Sequence, residues 1–164
     1  HEHPTADELV AITLRAARAV ELFGITPKIA LLSASNFGTR MDLPSSTNMR
    51  EALAKIRASH PELEIEGEMK ADYALIPQLR DEVFPGNRLS GMANLLIMPD
   101  VEAGNISLNV LKAATDATMI GPMLLGVDAP VHVLTNNSTT RRILNMAAIA
   151  VVEAQMVKSG IKSL

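Results

Sequence analysis

The stretch Pro27-Lys28-Ile29-Ala30-Leu31-Leu32, running straight into Ser33-Ala34-Ser35-Asn36-Phe37-Gly38-Thr39, decides the fold. A continuous short apolar run of this kind reads as a strand buried on both faces, as found in parallel sheets. The polar loop after it holds one glycine and can offer backbone N–H groups to a phosphate. It has neither P-loop nor GxGxxG spacing, so a plain strand exit explains it more simply.

Outward from this strand, helices and strands alternate. Upstream, Thr5-Ala6-Asp7-Glu8 has the form of a capping box, with Thr5 accepting from the Glu8 N–H while the Glu8 carboxylate reaches back. Leu9, Ile12, Ala16, Val20 and Phe23 recur every three or four residues and predict one apolar helical stripe, which Gly24 and Pro27 end. Downstream, Ser45 to Ser59 reads as a helix burying Met49, Ala52, Leu53 and Ile56, closed by His60-Pro61. A short strand follows at 63–66. Glu66, Glu68 and Asp72 raise the question of a metal, but no further ligand stands at suitable spacing, and they are expected on a solvated strand end. A short helix is expected over 73–79, a loop over 84–88 and a strand over 94–98. The next helix, 101–114, has Asp100 as its cap and Ile106, Val110 and Leu111 as its core face. This alternation predicts an α/β fold with a mainly parallel sheet and right-handed crossovers. Neither an internal repeat nor a low-complexity linker interrupts it.

The last third, Met119 to Gln155 (MIGPMLLGVDAPVHVLTNNSTTRRILNMAAIAVVEAQ), is the stretch around which the chain is organised. An apolar run at 119–125, a turn at 126–130 and a β-like run at 131–134 lead into the polar loop Thr135-Asn136-Asn137-Ser138-Thr139-Thr140. An apolar helix follows from about Arg141 to Gln155. A strand feeding a Ser/Thr/Asn loop that caps a helix points N–H groups at an anion, and ligands of open α/β sheets sit beyond strand ends. Spacing alone is met as well by a simple well-capped helix. His132, inside the β-like run, is expected as a satisfied core or edge residue rather than a base; His1 and His3 belong to the terminus. No Ser-His-Asp arrangement follows from spacing, and there is no nucleophile elbow. Residues 156–164 are expected to form a frayed tail.

With 164 residues, 48% apolar and 20% charged, the chain is long and apolar enough for one domain with a real core. A net charge of −3, one Tyr, three Phe and no Trp argue against nucleic acid as a partner. The lack of Cys excludes disulfides, thiolate metal sites and Cys nucleophiles, and fits a cytoplasmic location. The longest uninterrupted apolar run, Met146 to Val152, is far below the roughly 20 residues of a membrane span, so no membrane partner is expected. A start at His1 rather than Met leads us to expect a piece of a longer polypeptide.

Several segments carry a resemblance that reaches further. PKIALLS (27–33), EGEMKAD (66–72), PGNRLSGMAN (85–94), PDVEAGNI (99–106) and IGPMLLG (120–126) stand in family order and together resemble the phosphate acetyl/butyryltransferase family. NRLSGMANLLIMPD (87–100) and ILNMAAIAVVEAQ (143–155) are most similar to one branch, the C-terminal phosphotransacetylase-like domain of hybrid NADP-dependent malic enzymes. The resemblance implies the second half of a two-lobed, three-layer α/β/α domain, here residues 1–155, with a CoA cleft between the lobes and assembly into a dimer or higher homo-oligomer. It further implies a regulatory role with acetyl-CoA as allosteric ligand. The NADP and the divalent metal would belong to a malic enzyme domain elsewhere in the parent chain, and neither is expected here.

The cleft positions so implied are Ser35, Asn36, Gly38, Thr39 and Arg88, together with Thr135, Asn136, Asn137, Ser138 and Arg141; Arg40 is a further candidate for the phosphates. Active phosphotransacetylases carry an adjacent Ser-Arg pair after the last strand and an Asp slightly downstream. Carried over, these fall on Thr135, Asn136 and Arg142, which supply neither the guanidinium at the pair nor a base. The resemblance therefore implies no catalytic residue in this chain. An active phosphate acetyltransferase is the alternative, and a helix-rich interaction domain without a ligand is the third reading.

Overall fold

A computed structural model of the chain describes residues 2–127, 129–136 and 138–160. The chain divides into two compact units, His1–Val110 and Leu111–Leu164. The first contains α1 (Ala6–Leu22), β1 (Lys28–Leu32), α2 (Pro44–Ser59), β2 (Glu64–Met69), α3 (Ala71–Leu75), α4 (Pro77–Val83) and β3 (Leu95–Ile97); α5 (Val101–Ala114) crosses the boundary. The strands stand in the order β2-β1-β3, and both pairings are parallel.

The central position of β1 explains its unbroken apolar sequence. Ile29 and Leu31 join Leu9 and Ala17 of α1 and Met49, Ala52, Leu53 and Ile56 of α2 in one core. Ala30 and Leu32, on the opposite face, join Met69, Ala74 of α3, Leu89 and Ala93 in a second core. A parallel sheet covered by helices on both faces is an α/β/α layer, as expected. Asn94 fixes β3 beside β1, because its Oδ1 accepts the Lys28 N–H at 2.7 Å while its Nδ2 donates to the Thr26 carbonyl at 2.9 Å.

Both bonds of the capping box at Thr5 and Glu8 are present. The buried line of α1, however, runs Leu9–Thr13–Ala17, and Phe23 is exposed. Thr13 tolerates burial because its hydroxyl donates to the Leu9 carbonyl at 2.7 Å. The helix expected over 73–79 is two helices, broken where Ile76 takes an extended conformation (φ −118°, ψ 93°) before Pro77.

β2 departs most from expectation. It runs to Met69 rather than ending at Glu66, and its register with β1 skips from Leu31↔Gly67 to Leu32↔Met69, leaving Glu68 as a bulged residue. Gly67 lies at φ +148°, and a Cβ there would stand 2.7 Å from the Leu31 carbonyl oxygen, so this close approach requires glycine. Glu66 and Glu68 are buried, not solvated as expected, while Asp72 is exposed.

α5 has the expected bounds, but none of its residues is buried, and Ile106, Val110 and Leu111 are exposed rather than facing a core. Periodicity marks the face that seeks burial; it does not say whether the described residues cover it.

In the second unit α6 (Thr140–Lys158) is capped by Thr139 and buries Met146, Ile149 and Glu153. It continues through residues 156–158, which are helical instead of frayed; residues 161–164 of the expected tail lie outside the described residues. The β-like run 131–134 forms no strand, and Val131, Val133 and Leu134 are exposed. A strand needs a hydrogen-bonded neighbour, and β propensity alone does not provide one. Among the described residues no helix is long and apolar enough to cross a membrane.

Candidate functional site

The loop after β1 is pinned by its own hydrogen bonds. The Ser35 and Asn36 N–H groups donate to the Ser33 and Thr39 hydroxyls at 3.3 and 3.2 Å. Those of Phe37 and Gly38 donate to the Glu68 carbonyl at 2.7 Å and the Glu68 Oε1 at 2.9 Å. Thr39 N–H reaches the Asn36 carbonyl at 3.1 Å, and Arg40 N–H reaches the buried Ser35 hydroxyl at 3.0 Å. Asn36 Oδ1 in turn accepts the Lys70 N–H at 2.8 Å. The donors expected to cradle a phosphate are thus already engaged within the fold, and Ser35, Asn36, Gly38 and Thr39 form a structural corner. Arg40 is engaged as well, donating to both oxygens of Asp42 at 2.8 Å. That bidentate hydrogen bond draws the Asp42 carboxyl down from its usual 3.8 to about 2 and raises Arg40. Arg88 has an exposed position, and its N–H donates to Glu66 Oε2 at 3.0 Å.

The second unit has an electropositive pocket. A cavity of about 240 Å³ is lined by Lys112, Arg141, Arg142, Asn145 and Thr139, together with 118–119 and Gly121. Among the described residues three cations and no carboxylate line it, and Thr139 and the first turn of α6 add the positive end of the helix. Thr139 accepts the Arg142 N–H at 3.2 Å, and the Arg142 Nε is buried with no hydrogen-bond partner among the described residues. Just upstream, the Thr135 N–H donates to the Ser138 hydroxyl at 3.1 Å and the Ser138 N–H to the Thr135 carbonyl at 2.9 Å, closing a tight turn around exposed Asn136. Asn137 lies outside the described residues. Of the expected ligand positions, then, Arg141 lines the pocket, while Thr135 and Ser138 build the turn that precedes it. Lys112 and Arg142 are additional lining residues. Helical spacing places Arg141 and Arg142 side by side at a capped N-terminus and marks them; nothing in the sequence brings Lys112 to them. Anion binding is the chemistry this arrangement supports.

His132 packs with its side chain 3% exposed; its Nδ1 accepts the Leu124 N–H at 3.3 Å and its Nε2 lies 3.3 Å from Glu153. Its side chain is buried as expected, but its Nε2 is not satisfied by a hydrogen bond among the described residues.

A further polar array in the first unit escaped the sequence. Glu66 Oε1 accepts from Arg57 at 2.7 Å, and Glu68 Oε1 accepts from Arg50 at 3.3 Å. Arg50, Leu53, Ala54 and Arg57 repeat at helical spacing on one face of α2, which was the available signal. Among the described residues no group of three or more His, Cys, Asp or Glu could hold a metal ion.

Residues 1–151 match the family described as phosphate acetyl/butaryl transferase, and the chain belongs to that family. It is 51% identical over 156 residues to the NADP-dependent malic enzyme of Escherichia coli (strain K12), covering 94% of this chain and 20% of that protein. It is 36% identical over 160 residues to the phosphate acetyltransferase of Acetivibrio thermocellus, covering 96% of this chain and 48% of that one. The solved phosphotransacetylase from Streptococcus pyogenes superposes with a TM-score of 0.87 at 32% identity, over 94% of this chain and 46% of that structure. The chain therefore spans about a fifth of the malic enzyme and about half of the phosphate acetyltransferases.

Proposed function

We propose that this chain is the acetyl-CoA-binding regulatory and assembly domain of a cytoplasmic NADP-dependent malic enzyme. The parent polypeptide would decarboxylate malate oxidatively to pyruvate with NADP and a divalent metal held elsewhere, and this domain would transfer no acetyl group. The observation that carries the reading is the pocket of Lys112, Arg141 and Arg142 at the N-terminus of α6. It suits the phosphates of a CoA, and by the family resemblance Arg142 would stand where an active transferase needs a proton acceptor. Arg142 cannot accept a proton, and Asn136 cannot replace a guanidinium. Each loss raises the barrier by roughly 3 kcal/mol. Ser35, Asn36, Gly38, Thr39 and Arg88 of the first unit enter the same proposal as acetyl-CoA contacts, as do Thr135, Asn136, Asn137, Ser138 and Arg141 of the second.

A second reading has direct support from the comparisons: the chain itself moves an acetyl group between CoA and phosphate. The family description and the names of its solved relatives favour it over the regulatory reading.

The test is acetyl-CoA inhibition of malate turnover in the parent polypeptide. Arg141→Ala and Asn136→Ala should each leave uninhibited turnover nearly unchanged. Losing the charge-assisted contact of Arg141 should weaken inhibition on the order of tenfold or more. Unchanged inhibition in both variants would refute the placement.

A further inference from the structure

We propose that His132 is a positioning residue for the cationic pocket of the second unit: a latch that holds residues 118–124 while its ring is neutral and releases them when the ring takes up a proton. The hydrogen-bond pattern places the ring's proton. The Leu124 N–H donates to Nδ1 at 3.3 Å, so Nδ1 is an acceptor and the single proton of the neutral ring sits on Nε2. Nε2 lies 3.3 Å from Glu153 Oε2, within ion-pair reach but not aligned as a hydrogen bond. Among the described residues Glu153 is the charged group that faces the ring, and residues 118–127 and 129–136 carry no acid or base.

The latch bears on the pocket from two sides. Residues 118–119 and Gly121 line the cavity, and among the described residues the Leu124–His132 bond is the one hydrogen bond that ties residues 118–127 to another segment. On α6, Arg142, Met146, Ile149 and Glu153 follow at helical spacing and share a face, so the helix that carries Glu153 to the ring also carries Arg142 to the cavity. A proton on Nδ1 turns the acceptor into a donor, sets it against the Leu124 N–H and breaks that bond. The Glu153 carboxylate meanwhile favours the charged ring. Histidines change charge between about pH 8 and pH 5, so acidification unfastens one wall of the cavity. The consequence for a ligand rests on the anion-binding reading of the pocket; the consequence for Leu124 does not.

Two readouts on the chain test this. The first, without ligand, is the hydrogen-exchange protection factor of the Leu124 amide, followed by NMR beside the His132 ring signals. It should fall about fivefold or more between about pH 8 and pH 5, with the midpoint of the ring titration. The second is the affinity for sulfate, whose charge is constant over this range; relative to His132→Asn, it should weaken by a similar factor on acidification. Asparagine keeps an acceptor near the Nδ1 position and does not titrate, so Leu124 protection should stay level in His132→Asn. Glu153→Gln removes the carboxylate that favours the charged ring, so the loss of protection should move to lower pH by about one unit; this variant serves if His132→Asn does not fold. Leu124 protection that ignores the ring titration or falls alike in His132→Asn, an unmoved midpoint in Glu153→Gln, or sulfate affinity with the same pH profile in the parent and His132→Asn would overturn the proposal. Absence of sulfate binding at every pH, with Leu124 following the ring, would instead overturn the anion-binding reading and uphold the latch.

Discussion

Replacing Gly67 by alanine tests how the bulge in β2 is built. Two costs combine. At φ +148° a side chain is strained by about 1 kcal/mol or more. The new Cβ would also stand 2.7 Å from the Leu31 carbonyl oxygen and 2.9 Å from the Leu31 Cβ, on the central strand, where neither backbone nor neighbours yield readily. Overpacking of that kind costs about 1–3 kcal/mol. The sum is about 3 kcal/mol, which for a chain of this size lowers Tm by about 6–12 °C. Gly38→Ala is the control. It has φ +86° and nothing within 4 Å of an added Cβ, so conformational strain alone remains, about 1 kcal/mol. Urea unfolding followed by circular dichroism should therefore separate the two variants by about 2 kcal/mol. Equal destabilisation would show that β2 does not press on β1 as described.

Three further outcomes follow from particular side chains. Arg80 is fully buried and donates to the Leu89 carbonyl at 3.1 Å and the Tyr73 carbonyl at 3.5 Å; Arg80→Met should cost roughly 3 kcal/mol in urea unfolding through the acceptors it strands. Asp42, held at about 2 by Arg40, stabilises the fold above the usual carboxylate value, and this contribution is lost as pH falls through about 2. Asp42→Asn should therefore lower Tm at pH 5, with the gap to the parent closing toward pH 2; a gap independent of pH would refute the pairing. Exposed Ile106, Val110, Leu144 and Val151 should drive self-association, most simply as a two-fold dimer, and light scattering giving a clean monomer at micromolar concentration would contradict this.

Local signals are legible in the sequence. Lys28–Leu32 announced the central strand because burial on both faces leaves no polar position, and Thr5 with Glu8 announced the start of α1 through a contact three residues long. What escaped depends on distance. Glu68 looked solvated because an acid beside glycine usually is, and its partners Arg50 and Gly38 stand 18 and 30 residues away. The same bond takes the Gly38 N–H out of the phosphate cradle that loop composition suggested. Ile106 and Val110 were legible as an apolar face, but whether other residues cover a face is not written in the face itself. At the candidate site, Arg141 was legible from its place in a capped first turn, whereas Lys112 reaches the pocket only through the fold of the second unit.

The most direct measurement of the central claim is acetyl phosphate formation from acetyl-CoA and phosphate by the parent polypeptide. On the proposal that Asn136 and Arg142 occupy the reacting positions, activity should lie below detection while acetyl-CoA still binds. Turnover above roughly 1 per second, an ordinary enzyme rate, would contradict the regulatory account and establish the transferase one.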